Sequence, residues 1–304
     1  MCLGLTLTYL TTKVPNFAAA DFVTTGTYAS ATAFILWKLK SPYLATPLGF
    51  LFGGLISVLM YLGVLRPLIR KGSSLIMLMV ATLAVDLIFV GGNLLFIEDL
   101  ESWYGRIISD RGYGNFYTLY ALGDFKLFGD LGMLYVGPIS VIAISAALYL
   151  ILNKTKFGIA MRAAIENANL AKTVGINVER VYVVSWFLAG GVAGFAGGLF
   201  SIVYTTNQNQ ASLLIVSIFA GSVLGGLNSI YGAIIGGLLI GFGEIYITGE
   251  LSVLVGKFVS ASAGYAVISF QLGIPLAIMI ITLLVAPQGI TAVGWRRILS
   301  RTKK

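Results

Sequence analysis

The chain contains no histidine and a single cysteine, Cys2. Without an imidazole, neither a Ser-His-Asp nor a Cys-His nucleophilic system can be assembled. One thiol rules out a disulfide within the chain, and the same shortage excludes a Cys/His metal centre. Charge is scarce as well: 11% of the residues are Asp, Glu, Lys or Arg, against about 25% in ordinary soluble domains. No G-x-x-x-x-G-K-[ST] phosphate loop is present, so that route to nucleotide binding is closed. The opening MCLGLTLTYL has no basic residue, and no cleavable signal peptide is expected there. These absences weigh against an enzyme.

What the chain has instead is apolar surface. Of its 304 residues 58% are hydrophobic, gathered in long uncharged runs. A membrane-spanning helix needs about 20 such residues. Suitable runs occupy 1–13 (short), 22–37, 44–65, 73–97, 133–153, 181–204, 211–227, 230–247 and 272–293. The first is too short to span alone; either the chain begins late or irregular, protein-buried backbone completes it. Segment 248–271, with Lys257 and several Gly and Ser, reads as a tilted interfacial helix or a re-entrant piece. The expected fold is all-α: one polytopic helix bundle over 1–304, with about eight to nine transmembrane helices, some broken or re-entrant.

The net charge of +8 falls in three clusters beside apolar runs. That is the pattern of the positive-inside bias rather than of nucleic-acid binding. Segment 66–72 holds Arg66, Arg70 and Lys71 without an acid; 154–180 holds five basic and two acidic residues; the tail after Gly294 holds five basic residues. Residues 66–72, 154–180 and 295–304 are therefore expected in the cytoplasm. Loop 98–132, with six acids against three basic residues, is expected outside. The number of crossings between them agrees. Lys38 and Lys40 then lie outside, against the bias, a position that long side chains reaching toward water tolerate.

Glycine is abundant, at 37 residues, and ordered. Gly190, Gly194 and Gly198 recur every fourth residue, as do Gly221 and Gly225, Gly232 and Gly236, and Gly237 and Gly241. On a helix each set shares a face where backbones can approach closely. General helix packing explains this; sliding of helices during a transport cycle is the alternative. In VLGGLNSIYGAIIGG (223–237), Gly225, Gly226, Asn228 and Ser229 interrupt an apolar run. Either two half-length helices line a cavity, or the chain turns at the cytoplasmic surface. Asp86 and Glu244 lie inside apolar runs, with Asp21 at the mouth of another. Such residues face a bundle interior or water, as the lining of a path or as hydrogen-bond clamps. With Asn16, Asn207 and Gln208 they are the candidate translocation residues. No spacing suggests a coupling-ion cage.

Several segments together resemble the permease subunits of branched-chain amino acid ABC importers, over nearly the whole chain. GLTLTYLTTKVPNFAAADFVTTGTYAS (4–30) is similar to that family's opening. There an Asn-Phe-Ala-His-Gly-Glu block follows the first span; here Asn16, Phe17 and Ala18 match, Ala19 and Ala20 replace His-Gly, and Asp21 stands for Glu. RPLIRKGS (66–73) resembles its cytoplasmic loop, and GIAMRAAIENANLAKTVGINVERVYVVSWFLAGGVAGFAGGLF (158–200) its most recognisable block. VLGGLNSIYGAIIGGLL (223–239) and VAPQGITAVGW (285–295) resemble its last two, although Ala286 occupies the place of an Arg before Pro287-Gln288-Gly289. The resemblance implies a fold like that of type II ABC importers. It also implies a subunit that binds no cofactor itself. ATP and Mg would sit on two cytoplasmic ATP-binding subunits. A second homologous permease, an extracytoplasmic solute-binding protein and the bilayer of the cell membrane would complete the setting.

In that setting the polar segment 158–180 gains a role. From Ile159 to Val174 there is no Pro or Gly, so one helix is expected, with Gly175 as its left-handed stop. Ala160, Ala164, Ala168 and Ala171 form a smooth stripe able to seat in a groove of an ATPase subunit. Arg162, Glu166, Asn169 and Lys172 would surround it. The expected coupling set is Ala160, Arg162, Ala163, Ala164, Glu166, Ala168, Ala171 and Gly175; anchoring on the membrane surface is the competing use, though such helices favour larger apolar residues. The helix-packing set is Gly190, Gly194, Gly198, Gly225, Gly226, Gly232 and Gly236. The expected function is ATP-driven uptake of branched-chain or other hydrophobic amino acids. A sugar or nucleoside importer permease and a self-contained secondary carrier are the alternatives.

Overall fold

A computed structural model of the chain describes residues 1–207 and 209–292. Gln208 and the basic segment 295–304 lie outside the described residues. The elements are helical apart from four two-residue strands. In order they are α1 (Cys2–Thr12), α2 (Ala19–Leu36), α3 (Thr46–Met60), α4 (Arg66–Arg70), α5 (Leu75–Asp110), α6 (Met133–Lys154), α7 (Lys156–Glu166), α8 (Ala168–Thr173), α9 (Val178–Val203), α10 (Gln210–Gly225), α11 (Ile230–Phe258), α12 (Ala261–Ser269) and α13 (Gly273–Val285). Strand β1 (Thr118–Leu119) pairs antiparallel with β4 (Thr206–Asn207), and β2 (Lys126–Leu127) with β3 (Asp130–Leu131). A π-helical turn, Tyr61–Leu65, joins α3 to α4 without a break in the span Pro42–Arg70. Starts are chemically marked: α5, α7, α8, α9, α11 and α12 each begin on a Ser, Thr or Asn whose side chain accepts a backbone N–H.

Five of the described helices are long and apolar enough to cross a membrane: Pro42–Arg70, Leu75–Asp110, Met133–Lys154, Val178–Val203 and Ile230–Phe258. A bent pair, Ser262–Ser269 with Gly273–Val285 at 57°, makes six if it is one span. Cys2–Thr12 and Leu213–Gly225 are shorter apolar helices. Helix α2 is absent from the five because Asp21 and its Thr and Ser residues lower its hydropathy. It is buried along most of its length, so packing against protein replaces the need for a lipid-compatible exterior. The expected eight to nine spans thus become five or six by length and composition, because α1 and Leu213–Gly225 are too short to cross alone and α2 is too polar. The whole is an all-α membrane bundle.

By chain contacts the described residues form two compact units. The first comprises Met1 and Leu7–Ser212, the second Cys2–Thr6 and the chain from Leu213 onward. The first is built around α2, α3 and α9, whose glycines let the backbones meet. A methyl on Gly190 would collide with Ser57 and the Gly53 carbonyl, one on Gly194 with Gly49 and Gly53, and one on Gly198 with Ser30. On the far side, a methyl on Gly26 of α2 would fall inside the Gly194 backbone. The Ser57 hydroxyl donates to the Trp186 carbonyl at 2.7 Å, and Tyr61 stacks on Trp186 with ring centroids 5.5 Å apart. After α1 the chain runs irregular but buried at Val14, Asn16 and Ala18, one of the two arrangements expected for the short first run.

Helix α5 has 36 residues and is about 54 Å long, well beyond a 30 Å hydrocarbon core. The span 73–97 therefore continues as helix into the loop 98–132. The extension holds because Ile97, Leu100 and Ile108 are buried with Phe116, Leu119 and Leu122. Two loop acids are used internally. Glu101 accepts the Phe116 N–H at 2.8 Å; Asp124 accepts the Tyr43 hydroxyl at 2.9 Å and the Met133 N–H at 2.6 Å.

In the second unit, the break after α10 is a short turn. Gly226 has φ 99°, Ser229 caps the next helix, and α11 then runs for 29 residues. Of the two helices at this turn, α11 is long enough to span and Leu213–Gly225 is not. The turn is tight because Gly225 and Gly232 lie backbone to backbone, as do Gly236 and Gly221. The Thr291 hydroxyl donates to the Gly225 carbonyl at 2.7 Å. Gly241, by contrast, has nothing within 4 Å of where a methyl would stand, so the Gly237/Gly241 repeat is no packing stripe at its second position. Segment 248–271 resolves into the end of α11 and then α12, which folds back on it. The Ser252 hydroxyl donates to the Gly264 carbonyl at 2.8 Å.

Candidate functional site

Residues 154–180 fold as two short helices, not one. Asn167 leaves the helical region, with φ −154° and ψ 98°, and its side chain accepts the Leu170 N–H at 3.0 Å to start α8. The expectation of an unbroken helix failed because it counted only Pro and Gly as breakers; Asn competes for backbone hydrogen bonds and is favoured at caps. At the far end Gly175 has φ 85°. The Ile176 N–H reaches the Ala171 carbonyl at 3.0 Å and the Gly175 N–H the Lys172 carbonyl at 3.1 Å, the paired closure of a glycine-stopped helix.

The alanine stripe points inward. Ala164 and Ala171 are 1% and 2% exposed, in company with Gly158 and Met161. Ala160, Ala163 and Ala168 are half-buried. The reading of the stripe as a free docking face is therefore corrected: small residues here let α7 and α8 lie against their own chain. A methyl on Gly158 would overlap the Leu152 backbone. The Arg162 guanidinium donates to the Leu152 carbonyl at 2.7 Å and to Asn153 Oδ1 at 3.1 Å, closing the C-terminus of α6. The Tyr182 hydroxyl of α9 donates to the Ala164 carbonyl at 3.4 Å.

The outward face is different and was missed. Ile159, Leu170 and Val174 are 59%, 62% and 70% exposed, among Glu166, Asn169 and Lys172, all exposed. Three large apolar side chains in an otherwise polar stretch were the available signal. Just beyond, Glu179 in the first turn of α9 accepts Arg66 through Nε at 2.8 Å and Nη2 at 2.5 Å. It also pairs with Arg70. Segments 66–72 and 154–180, separate in sequence, thus meet at one end of the first unit. The loop 98–132 lies at the other end of α5.

The polar candidates do not form one site. Asn16, Asp21 and Asp86 belong to the first unit. Asn16 and Asp21 are buried, and Asp86 is the ionisable group that faces Asp21. Asn16 Oδ1 accepts the Ala18 N–H at 3.1 Å, yet its Nδ2 meets no partner among the described residues, and the Asp21 carboxyl has only that of Asp86 beside it. Buried polar atoms left in that state are uncommon. Asn207 sits in β4, paired opposite Thr118. Glu244 is in the second unit, where it accepts the Ser217 hydroxyl at 2.8 Å, a bond that links α10 to α11.

Comparison with known proteins fits this geometry to a family. Residues 1–283 match the family described as "Branched-chain amino acid transport system / permease component". The chain belongs to that permease family. It is similar to the probable branched-chain amino acid transport permease protein LivH of Methanocaldococcus jannaschii, 42% identical over 298 residues, 98% of this chain and 89% of that one. It is also similar to the high-affinity branched-chain amino acid transport system permease protein LivH of Escherichia coli K12. That identity is 30% over 145 residues, 47% of this chain and 42% of the other. A guanosine ABC transporter permease protein, NupQ of Bacillus subtilis, is 29% identical over 126 residues, 40% of this chain and 39% of its own. No solved structure matches. Two features of the first unit stand out: the α7–α8 pair, anchored to α6 and α9, and the facing carboxyls of Asp21 and Asp86.

Proposed function

We propose that this permease subunit imports branched-chain or other hydrophobic amino acids across the cell membrane, driven by ATP bound with Mg on two separate cytoplasmic ATP-binding subunits. A second homologous permease completes the membrane part, and an extracytoplasmic solute-binding protein delivers the substrate. Residues 66–72, 154–180 and 295–304 face the cytoplasm, and 98–132 the exterior. The observation that carries the reading is the two-faced α7–α8 pair: one face built into the bundle, the other offering exposed Ile159, Leu170 and Val174. Large apolar residues ringed by charge suit a protein partner's groove.

The mechanism follows from what the inner face grips. Arg162 ties α7 to the end of α6, Tyr182 ties it to α9, and Glu179 ties the start of α9 to Arg66. A displacement of α7–α8 by closing ATPases would be passed to these helices because packed interiors transmit strain rather than absorb it. Helix α9 in turn lies backbone to backbone on α3 and α2, the helix that carries Asp21. Asn16, Asp21 and Asp86 are proposed to line the path, where the free Asn16 amide N–H and the facing carboxyls would meet the charged ends of an amino acid. The test is uptake by vesicles holding the full system. ATP-dependent entry of radiolabelled leucine, isoleucine or valine is expected, with no competition from guanosine or xylose. Competition by either, or uptake without the ATP-binding subunits, would overturn the proposal.

A further inference from the structure

A cavity of about 620 Å³ opens among α2, α3 and α5, within the range of ligand sites. None of the polar path candidates lines it. Its walls are apolar, with Leu36, Leu48, Phe52, Ile56, Phe89 and Phe96 among them. Along α2 it reaches from Thr25 to Trp37, about 18 Å of helix. That is close to one leaflet of a 30 Å hydrocarbon core and well short of the whole. A partner's transmembrane helix would need the full thickness; a single hydrocarbon chain would not.

The mouth is chemically distinct. Trp37, exposed at the end of α2, is the residue type of the membrane–water boundary. Lys38 and Lys40 follow it, both exposed, and the Arg111 guanidinium donates to the Ile35 carbonyl beside them. Neither lysine forms an ion pair among the described residues, although Glu98 and Asp99 are exposed at the same end of α5. Below the mouth, Tyr28 and Thr32 also line the cavity. Their hydroxyls are buried and meet no partner among the described residues. Thr32 is about 8 Å along the axis from Trp37, inside the level where a lipid's glycerol oxygens lie below its phosphate.

We propose that this groove binds one anionic phospholipid. Its hydrocarbon chain lies along α2, its phosphate sits on Lys38 and Lys40, and its glycerol oxygens meet the Thr32 hydroxyl. The site gives the two lysines a reason to be at the 98–132 end of the bundle, where the distribution of basic residues otherwise runs the other way. It is independent of the transported solute.

The test is native mass spectrometry of the full chain in detergent, titrated with phosphatidylglycerol or phosphatidylcholine of identical chains. One phosphatidylglycerol should remain on the wild type, bound about tenfold or more tighter than phosphatidylcholine, as expected for two basic contacts. Lys38→Gln with Lys40→Gln, both exposed and harmless to folding, should erase that preference. Ala29→Phe, which fills the groove, should abolish retention of both lipids, its folding checked by circular dichroism; should it misfold, the lysine pair alone decides. Equal retention of the two lipids, an unchanged preference in the lysine variant, or displacement of the lipid by inorganic phosphate would overturn the proposal. So would a lipid-free dimer that dissociates in Ala29→Phe, which would make the groove an interface between copies.

Discussion

Replacing Gly194 by Ala should unfold the bundle earlier than any change of one methyl ordinarily does. The added carbon would stand 3.0 Å from Gly53 Cα and 3.1 Å from the Gly49 carbonyl carbon, against a carbon–carbon optimum of about 3.5–4.0 Å. The Gly49 carbonyl oxygen is nearer still. Relief requires α3 and α9 to part by roughly 0.5–1 Å, which forfeits about a quarter to a half of each dispersion contact along the seam. Helix α9 cannot retreat the other way, because Gly26 of α2 already lies against the Gly194 backbone. Every neighbour is backbone, so no flexible side chain can give. Overpacking of this kind costs about 1–3 kcal/mol, and the upper end is expected here. At roughly 2–4 °C per kcal/mol for larger chains, the unfolding temperature in detergent, followed by tryptophan fluorescence, should fall by about 6–12 °C. Gly241→Ala is the control: with nothing within 4 Å, it should leave the temperature unchanged or raise it, since Ala is up to about 1 kcal/mol better than Gly in a helix. A Gly194→Ala protein that melts with the wild type, or a Gly241→Ala protein that falls as far, would refute the reasoning.

Further outcomes follow from the same contacts. Glu179→Ala should free the α4 end, and limited digestion should show trypsin cutting after Arg70 or Lys71 several times faster than in the wild type. Ser217→Ala should leave the Glu244 carboxylate without its 2.8 Å donor and destabilise the chain by about 1–3 kcal/mol; thermal unfolding checks it, with a smaller loss expected for Glu244→Gln. Gly175→Ala places a side chain at φ 85°, which costs about 1–2 kcal/mol, so amide exchange at Ile176 should speed up about fivefold or more.

Much of the bundle was legible because lipid and water impose strong patterns. The apolar runs placed the spans, the basic segments 66–72 and 154–180 were assigned to one side, and Arg66 and Glu179 join them there. The left-handed stop at Gly175 was readable because few other residues accept that backbone. What stayed hidden depended on direction or on distant partners. The Ala160–Ala171 stripe marked a close approach, but small residues do not say whether the neighbour is the same chain or another. Gly190 and Gly194 announced a seam, while their partners Gly26, Gly49 and Gly53 sit in two other helices. Asn167 broke the expected helix through its side chain, a local competition that a count of Pro and Gly overlooks. For Glu244, read as either a path residue or a clamp, the partner Ser217 lies 27 positions away, beyond any local pattern.

The outward face of α7–α8 is where ATP energy is proposed to enter, and site-specific cross-linking tests it most directly. In a Cys2→Ser background, Leu170→Cys and Val174→Cys should each cross-link to a co-purified ATP-binding subunit, whereas Ala164→Cys, buried within the chain, should not. The Leu170→Cys cross-link should also halt ATP-driven leucine uptake into vesicles, with uptake restored on reduction. A cross-link at position 164 but not at 170, or unimpaired uptake by the cross-linked complex, would contradict the coupling role.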